Sequence, residues 1–386
     1  MDAPLPTTYV RVSRPALGRN LAAVRAALAP GVRLCAVVKA NAYGHGLVET
    51  ARLFVEGGAD LLGVASLDEA LELRRAGLET PILVFHPLTD SELRAAVEQR
   101  LIVTLTHPER AERLARVAGG GGLDYQLEID VGLGRSGCRD DPLTFLERAR
   151  KTLGHAASGV WAHLGPGMAP VSVPSPPRTW SEAKDVPSRL GHLAALRERL
   201  RAEEEAPAFH VAASAALCDC PALQWDMVRV GSLLYGVRPP GVKREPFALE
   251  SALELRTRIV DVRPAPRGAP VGYGAEFRPA FDTLLAVLPV GLYHGVGVIP
   301  ESTVSVATGA RRWLARWRGA RGGVFRPTLV RIGDEHAPIV GRISLNECTV
   351  DLGGLRPCPV GTEVAVPVRM TTLNPAIPRV HVDGGP

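Results

Sequence analysis

The sequence predicts an α/β protein in two parts: a (β/α)8 TIM-like barrel over residues 1–240, then a mainly-β domain over 241–386. Three observations predict it. From about residue 33, short β-rich apolar runs alternate with segments whose apolar positions recur at i, i+3 and i+4, the period of an amphipathic helix. Eight such units fit into roughly 200 residues, which suits a barrel; an open doubly wound sheet shares the alternation and is the alternative. Past Pro239-Pro240 the texture changes to alternating runs with Gly/Pro punctuation and no long helical stretch.

The first unit is the strand-length RLCAVVKA (33–40) with the helical VETARLFVEGG (48–58). LLGVAS (61–66) precedes LDEALELRRAG (67–77), where Leu67, Ala70 and Leu71 share a face and Gly77 is placed to end the helix. The pattern repeats in PILVFH (81–86) with SELRAAVEQR (91–100), in LIVTLT (101–106) with PERAERLARVAG (108–119), and in DYQLEID (124–130) with PLTFLERARKTL (142–153). SGVWAHL (158–164) leads through a Pro/Ser-rich loop, 165–188, to a helix over 189–205; AFHVAASA (208–215) and DMVRVGSLLYG (226–236) complete the eight. The second part offers LELRTRIVDV (253–262), TLLAVLPV (283–290), TLVRIG (328–333), TVDLG (349–353) and EVAVPVRM (363–370) as strands. An Arg/Trp-rich stretch, 306–323, with Trp313 and Trp317, reads as an extended hairpin or subunit contact.

At 386 residues, 46% hydrophobic and 22% charged, the chain is core-forming, which excludes a disordered protein and a small disulfide-stapled scaffold. A net charge of +5 is small for this length, and arginines alternate with glutamates over 189–205, so the charge reads as solvated faces and nucleic acid is not expected as a partner. The start, MDAPLPTTYVRV, lacks a signal-peptide pattern and no run of eighteen apolar residues occurs, so a soluble, cytoplasmic protein without a membrane partner is expected. Six scattered Cys read as reduced thiols, and Cys218-Asp219-Cys220 is too closely spaced for the usual zinc pair, so no metal is expected. Gly132 to Gly137 fits G-x-G-x-x-G after a predicted strand. It is set aside because Arg135 stands where backbone would approach a pyrophosphate and the first βα unit has no glycine fingerprint. The run Gly119 to Gly122 reads as a helix-ending linker.

In a barrel the chemistry gathers just past the C-terminal ends of the strands. Lys39, Tyr43, Arg135, His163, Ser214, Arg229, Gly231 and Ser232 stand there. The chain has only four lysines among its 45 Lys and Arg, and Lys39 alone ends a strand; Lys151, Lys184 and Lys243 fall in helical or loop segments. Loops after the last two strands commonly bind a phosphate through backbone N–H groups. An amine at the first strand and a phosphate site at the last would suit pyridoxal 5'-phosphate (PLP).

AVVKANAYGHG (36–46) resembles the cofactor-lysine signature of bacterial alanine racemases. LEIDVGLGRSG (127–137), GVWAHL (159–164), HVAASA (210–215), DMVRVGSLLYG (226–236), VGYGAEF (271–277), LPVGLYHG (288–295) and GRISLNECTVDLG (341–353) follow in the family's order. The resemblance spans nearly the whole chain. It implies a PLP-dependent isomerase that interconverts L- and D-alanine for cell-wall biosynthesis, working as a head-to-tail homodimer with shared sites.

By that resemblance Lys39 would hold the cofactor aldehyde and act as one base, and Tyr273, from the partner subunit, as the other. An ordinary tyrosine has a pKa of about 10, so nearby cations would have to lower that of Tyr273. Arg229 would face the pyridine nitrogen, held by His163 and His210. Tyr43, Ser214, Gly231 and Ser232 would hold the phosphate. Arg135 would contact the cofactor's phenolate oxygen and the substrate carboxylate, braced by Glu128 where the family often has a lysine that must be carbamylated. Leu345 would touch substrate, with Asn346 in support.

The departures from the family cluster at the substrate side. Ala213-Ser214 replaces an Asn-Ser pair, Gly291-Leu-Tyr-His-Gly295 a Gly-Tyr-Ala-Asp-Gly stretch, Leu345-Asn346 a Met-Asp pair, and Pro375 a tyrosine. The segment 296–340 is also longer than usual. Leu292, Leu345, Asn346 and Pro375 thus alter the width and polarity of the entrance, and a serine-processing or broad-specificity racemase in a specialised pathway is the alternative. A PLP-carrying homeostasis protein without turnover is the alternative from another class, set against the β domain and its Tyr273. Barrel-fold decarboxylases place a carboxylate at the pyridine nitrogen, which Arg229 contradicts.

Overall fold

A computed structural model describes residues 5–118, 123–165, 167–170, 172–244, 246–298 and 328–384. The chain divides into two compact units, Arg14–Ala252 and a second formed by Met1–Ser13 with Leu253–Pro386. The division expected at residue 240 gives the N-terminal residues to the barrel. They fold with the second unit, because the alternating YVRVS of β1 (Tyr9–Ser13) supplies it with a strand.

Eight strands form the barrel: β2 (Arg33–Val37), β3 (Leu61–Val64), β4 (Ile82–Val84), β5 (Ile102–Leu105), β6 (Tyr125–Glu128), β7 (Gly159–Trp161), β8 (Ala208–His210) and β9 (Met227–Val230). They pair in parallel in the order β8-β7-β6-β5-β4-β3-β2-β9. Arg229 N donates to Ala212 O at 3.0 Å and Asp226 N to Phe209 O at 3.1 Å, which bring β9 against β8 and nearly close the ring. An open sheet would leave those two strands at opposite edges. Cys35, Leu61, Leu83, Ile102 and Met227 pack as one interior cluster, with Phe85 against it.

The helices are α1 (Arg14–Ala26), a short turn α2 (Lys39–Tyr43), α3 (Leu47–Glu56), α4 (Leu67–Arg75), α5 (Asp90–Glu98), α6 (Pro108–Ala118), α7 (Pro142–Leu153), α8 (Val186–Leu200) and α9 (Ser214–Asp219). The helix expected over 189–205 begins earlier and ends sooner. Asp185 caps it by accepting from Ser188 N at 2.8 Å, Pro187 sits in the first turn where its missing N–H costs nothing, and it stops before Glu203–Glu205. The preceding stretch is less open than a plain loop, since Trp180 is buried and donates to Arg139 O at 2.7 Å.

The second unit holds β1 with β10 (Leu253–Arg258), β11 (Asp261–Ala265), β12 (Thr283–Leu288), β13 (Leu329–Ile332), β14 (Glu335–Val340), β15 (Cys348–Asp351), β16 (Glu363–Val366) and β17 (Arg379–Val382). Their order is β11-β12-β15-β14-β13-β16-β10-β1-β17, antiparallel throughout except for β1 with β17. Ala265, Val271, Leu285 and Val340 form a core cluster with Phe277 packed on it. LELRTRIVDV, expected as one strand, is two, β10 and β11, with Ile259 and Val260 between them. The Arg/Trp stretch 306–323 and the run Gly119 to Gly122 lie outside the described residues. No helix among the described residues is long and apolar enough to cross a membrane.

Candidate active site

Two cavities mark the ends of the barrel. The larger, about 600 Å³, is lined by residues at strand N-termini, among them Arg33, Ser158, Ala208 and Asp226, and contains no amine. The smaller, about 290 Å³, lies past the strand C-termini and contains Lys39. Barrel chemistry belongs at the second end.

Lys39 opens a turn in which Ala40, Asn41, Ala42 and Tyr43 all take left-handed backbone, with φ between 51° and 55°. Such a conformation costs an L-residue roughly 1–2 kcal/mol, so the run has to be held from outside. The Glu69 carboxylate does part of this: one oxygen accepts from Ala40 N at 2.5 Å, the other from Ala65 N at 2.8 Å. Asn41 Oδ1 accepts from Leu47 N at 2.8 Å and ties the turn to α3. Glu69 also closes the capping box of α4 with Ser66, so the helix start and the lysine turn share one carboxylate. Burial lowers the pKa of Lys39, the Arg135 and Arg229 cations push the same way, and Glu69 opposes them.

Arg229 is 4% exposed and tightly held. Its Nη1 donates to His210 Nδ1 and His210 O, and Nη2 to Ala162 O, all at 2.7 Å. The Trp161 ring lies 4.9 Å from the guanidinium carbon. Burial brings Arg229 down to about 10, which leaves it cationic at neutral pH. His163 falls to about 3, first by burial and then through Arg229, Arg135 and Lys39, so it is neutral. His210 is fully buried behind Arg229 and is driven well below the usual histidine range by burial, then by Arg229.

Just past the end of β9, Gly231 N donates to Ser214 Oγ at 3.1 Å. A Cβ at Gly231 would stand 2.5 Å from Tyr43 Oη, so only glycine lets that phenol lie over the backbone. Tyr43 packs on Tyr235 with ring centroids 4.8 Å apart, and burial pushes its pKa up to about 12, which keeps it a hydroxyl donor. Ser232 lines the same cavity.

Glu128 and Arg135 also line the cavity, but the expected brace is a long one, Arg135 Nη2 to Glu128 Oε1 at 4.0 Å. Arg135 stays largely exposed on its loop while Glu128 is buried. Burial raises the Glu128 carboxyl, with a hydrogen bond to Ser136 and the Arg135 and Arg229 cations opposing. Asp130, two residues on, accepts from Gly132 N at 2.9 Å and Gly134 N at 3.1 Å, so those amides of the G-x-G-x-x-G stretch serve its own loop.

The structure therefore brings Lys39, Tyr43, Glu128, Arg135, His163, Ser214, Arg229, Gly231 and Ser232 to one cavity, with His210 behind it. Tyr273, Leu292, Leu345, Asn346 and Pro375 belong to the β unit, where all five are exposed; Tyr273 is 69% exposed. Sequence reasoning missed Trp161, Glu69 and Gln126. Gln126 and Glu128 did leave a signal: two polar residues two apart on a buried strand point to the same face.

The donor set fits a phosphate-bearing aldehyde: hydroxyls and a backbone amide around a glycine cradle, with an amine and guanidinium groups in the same cavity. Models of the alanine racemase N-terminal and C-terminal domains match residues 12–239 and 252–374. The chain belongs to the alanine racemase family. With this membership it joins a group of PLP-dependent isomerases. Family relatives include the alanine racemase of Desulfosudis oleivorans, 33% identical over 93% of this chain and 87% of its own. That of Geobacillus stearothermophilus is 30% identical over 93% and 84%. Among solved structures, the alanine racemase of Streptomyces lavendulae superimposes with a TM-score of 0.74 at 28% identity, covering 99% of this chain and 98% of its own. A histidine racemase from Leuconostoc mesenteroides shares the fold, with a TM-score of 0.76 at 23% identity over 99% of each chain.

Proposed function

We propose that the protein interconverts L- and D-alanine with PLP, using Lys39 and the partner subunit's Tyr273 as two bases on opposite faces of the substrate Cα. The observation that carries this reading is a single strand-end amine, Lys39, in a cavity also lined by the Tyr43, Ser214, Gly231 and Ser232 cradle. Lys39, Tyr43, Arg135, His163, Ser214, Arg229, Gly231 and Ser232 would hold the cofactor, with His210, expected to touch it, acting through Arg229 instead. When bound, PLP supplies an electron-withdrawing ring that acidifies the Cα–H of an attached amino acid.

The chain's own residues determine which way that acidity is used. Lys39, with its pKa lowered by burial, is more often the free amine at neutral pH than a surface lysine and so is available to take a proton. Arg229 keeps its own protons near neutral pH, so an acceptor facing it receives a hydrogen bond rather than a proton. That limits electron withdrawal and favours reversible proton transfer over loss of CO₂. Arg135 is available to a substrate carboxylate because it is exposed and only distantly paired with Glu128. Inversion needs a second base on the other face, since one base would mostly return the proton where it came from.

Under this reading the enzyme works in the cytoplasm as a head-to-tail homodimer whose β unit, with Tyr273, Leu345 and Asn346, contributes to the partner's site. The altered Leu292, Leu345, Asn346 and Pro375 favour one second reading, a racemase that admits serine or other small side chains. Circular dichroism of a panel of small L-amino acids, with CO₂ release measured alongside, tests both. Alanine turning over fastest supports the first reading and serine the second. CO₂ release, or a yellow protein that exchanges no Cα hydrogen in D₂O, would end both.

A further inference from the structure

Arg229 has five N–H donors, and the three hydrogen bonds described above leave two for the cavity. One of those three sets a condition on its neighbour. A guanidinium only donates, so His210 Nδ1 must accept, and a neutral histidine that accepts at Nδ1 carries its proton on Nε2.

Nε2 of His210 lies 2.9 Å from Gln126 Oε1 in a fully buried contact. An amide can be turned end for end, so its orientation needs a cause of its own. Gln126 Nε2 reaches Ser158 Oγ at 3.5 Å, and the single Ser158 hydroxyl proton has two acceptors beside it, Tyr125 O at 3.4 Å and the Asp124 carboxylate. The amide nitrogen thus has an acceptor on its own side. Gly159 leaves it room: a Cβ there would stand 2.9 Å from Gln126 Cδ. Donation runs one way, from Arg229 to His210, to Gln126, to Ser158.

We propose that Gln126, by accepting from His210 Nε2–H, locks His210 in the tautomer that Arg229 requires and so holds Arg229 in place, making Gln126 a positioning residue of this site. A neutral amide suits the task. A carboxylate at 126 would favour the imidazolium, whose Nδ1–H would then face the Arg229 guanidinium N–H. The charged groups acting on His210 already oppose that form: Arg229 from β9 and Arg33 from β2, with the uncharged Trp161 ring stacked 6.5 Å away on β7. The bearing of Gln126 on turnover rests on the assignment of Arg229 to the cofactor ring; the tautomer does not.

The test is ¹⁵N NMR of the histidine-labelled holoenzyme, with the His210 signals identified by their loss in His210→Asn. Wild type should show Nε2 protonated and Nδ1 bare, unchanged between pH 5 and pH 8. Gln126→Met should introduce an Nδ1-protonated population and lower kcat about tenfold with little change in KM. The near-isosteric Gln126→Glu, which keeps the fold in play should the Met variant not fold, should protonate His210 as pH falls and move the acid limb of kcat/KM upward. A wild-type Nδ1–H signal, or a tautomer and pH profile unchanged in Gln126→Glu, would overturn the proposal. Failure of the cofactor reading would show separately, as a wild-type protein without the visible PLP band, and would leave the nitrogen shifts interpretable.

Discussion

Lys39 and Tyr273, the two residues assigned to move the proton, occupy differently built surroundings. Lys39 sits at the mouth of a barrel on a strained left-handed turn, partly buried and ringed by groups that shift its pKa, with Arg229 locked nearby by three short hydrogen bonds. Tyr273 lies in the β unit, 69% exposed, between Gly272 and Gly274, both at positive φ. The first region carries its tuning within one chain. The second offers an exposed phenol on a glycine-flanked turn, with Arg342 of the same unit beside that turn and paired to Glu276. Under the proposed function, the half of the site around Lys39 would be preorganised on folding and the half around Tyr273 completed on assembly.

The largest expected effect is at the preorganised half. Lys39→Ala should abolish the visible absorption of bound PLP and reduce racemisation by on the order of 10³-fold or more; a persistent band would sink the cofactor assignment. Tyr273→Phe should leave that band in place yet slow Cα–H abstraction from one enantiomer by about 10²–10⁴-fold. Deuterium incorporation measured from each enantiomer separately checks this, and equal small losses in both directions would defeat the two-base scheme.

A smaller effect probes how the lysine turn is held. Glu69→Gln keeps one acceptor oxygen but turns an amide N–H₂ toward a backbone N–H, so kcat should fall about tenfold. Ser66→Ala loosens the same helix cap without touching the Ala40 bond and should cost about 1 kcal/mol of stability while leaving kcat nearly unchanged. Equal losses of activity in the two variants would mean that Glu69 serves only the helix.

The last effect is on stability rather than turnover and concerns histidine protonation. His163 sits near 3 in the folded protein against an ordinary 6.5, so the unfolded chain binds the extra proton between those values. Stability should therefore fall as pH drops from about 6.5 toward 3, and His163→Gln should flatten that slope by up to one proton. Denaturant titrations at pH 4 and pH 7 measure it; an unchanged slope would place His163 in a more hydrated setting than the barrel gives it.

Much of the barrel was legible because its strands and helices announce themselves by period. Leu67, Ala70 and Gly77 mark α4 without any tertiary information, and Lys39 stands out as the sole lysine ending a strand. What stayed hidden depends on contacts between distant segments. Nothing local in YVRVS says that β1 pairs with β10 and β17 instead of the barrel. Glu69 was missed because its bond to Ala40 exists only once β3 and β2 are neighbours. The stretch around Gly132 looked like a nucleotide loop by spacing alone, and the structure shows Asp130 taking two of its amides.

The most direct test of a site completed on assembly uses two inactive proteins. Lys39→Ala and Tyr273→Phe protomers, mixed under conditions where subunit exchange is verified, should regain activity toward about one quarter of the wild-type value, because a mixed dimer then carries one site with both bases intact. Full exchange with no recovery would contradict a shared site and with it the assignment of Tyr273 to the partner.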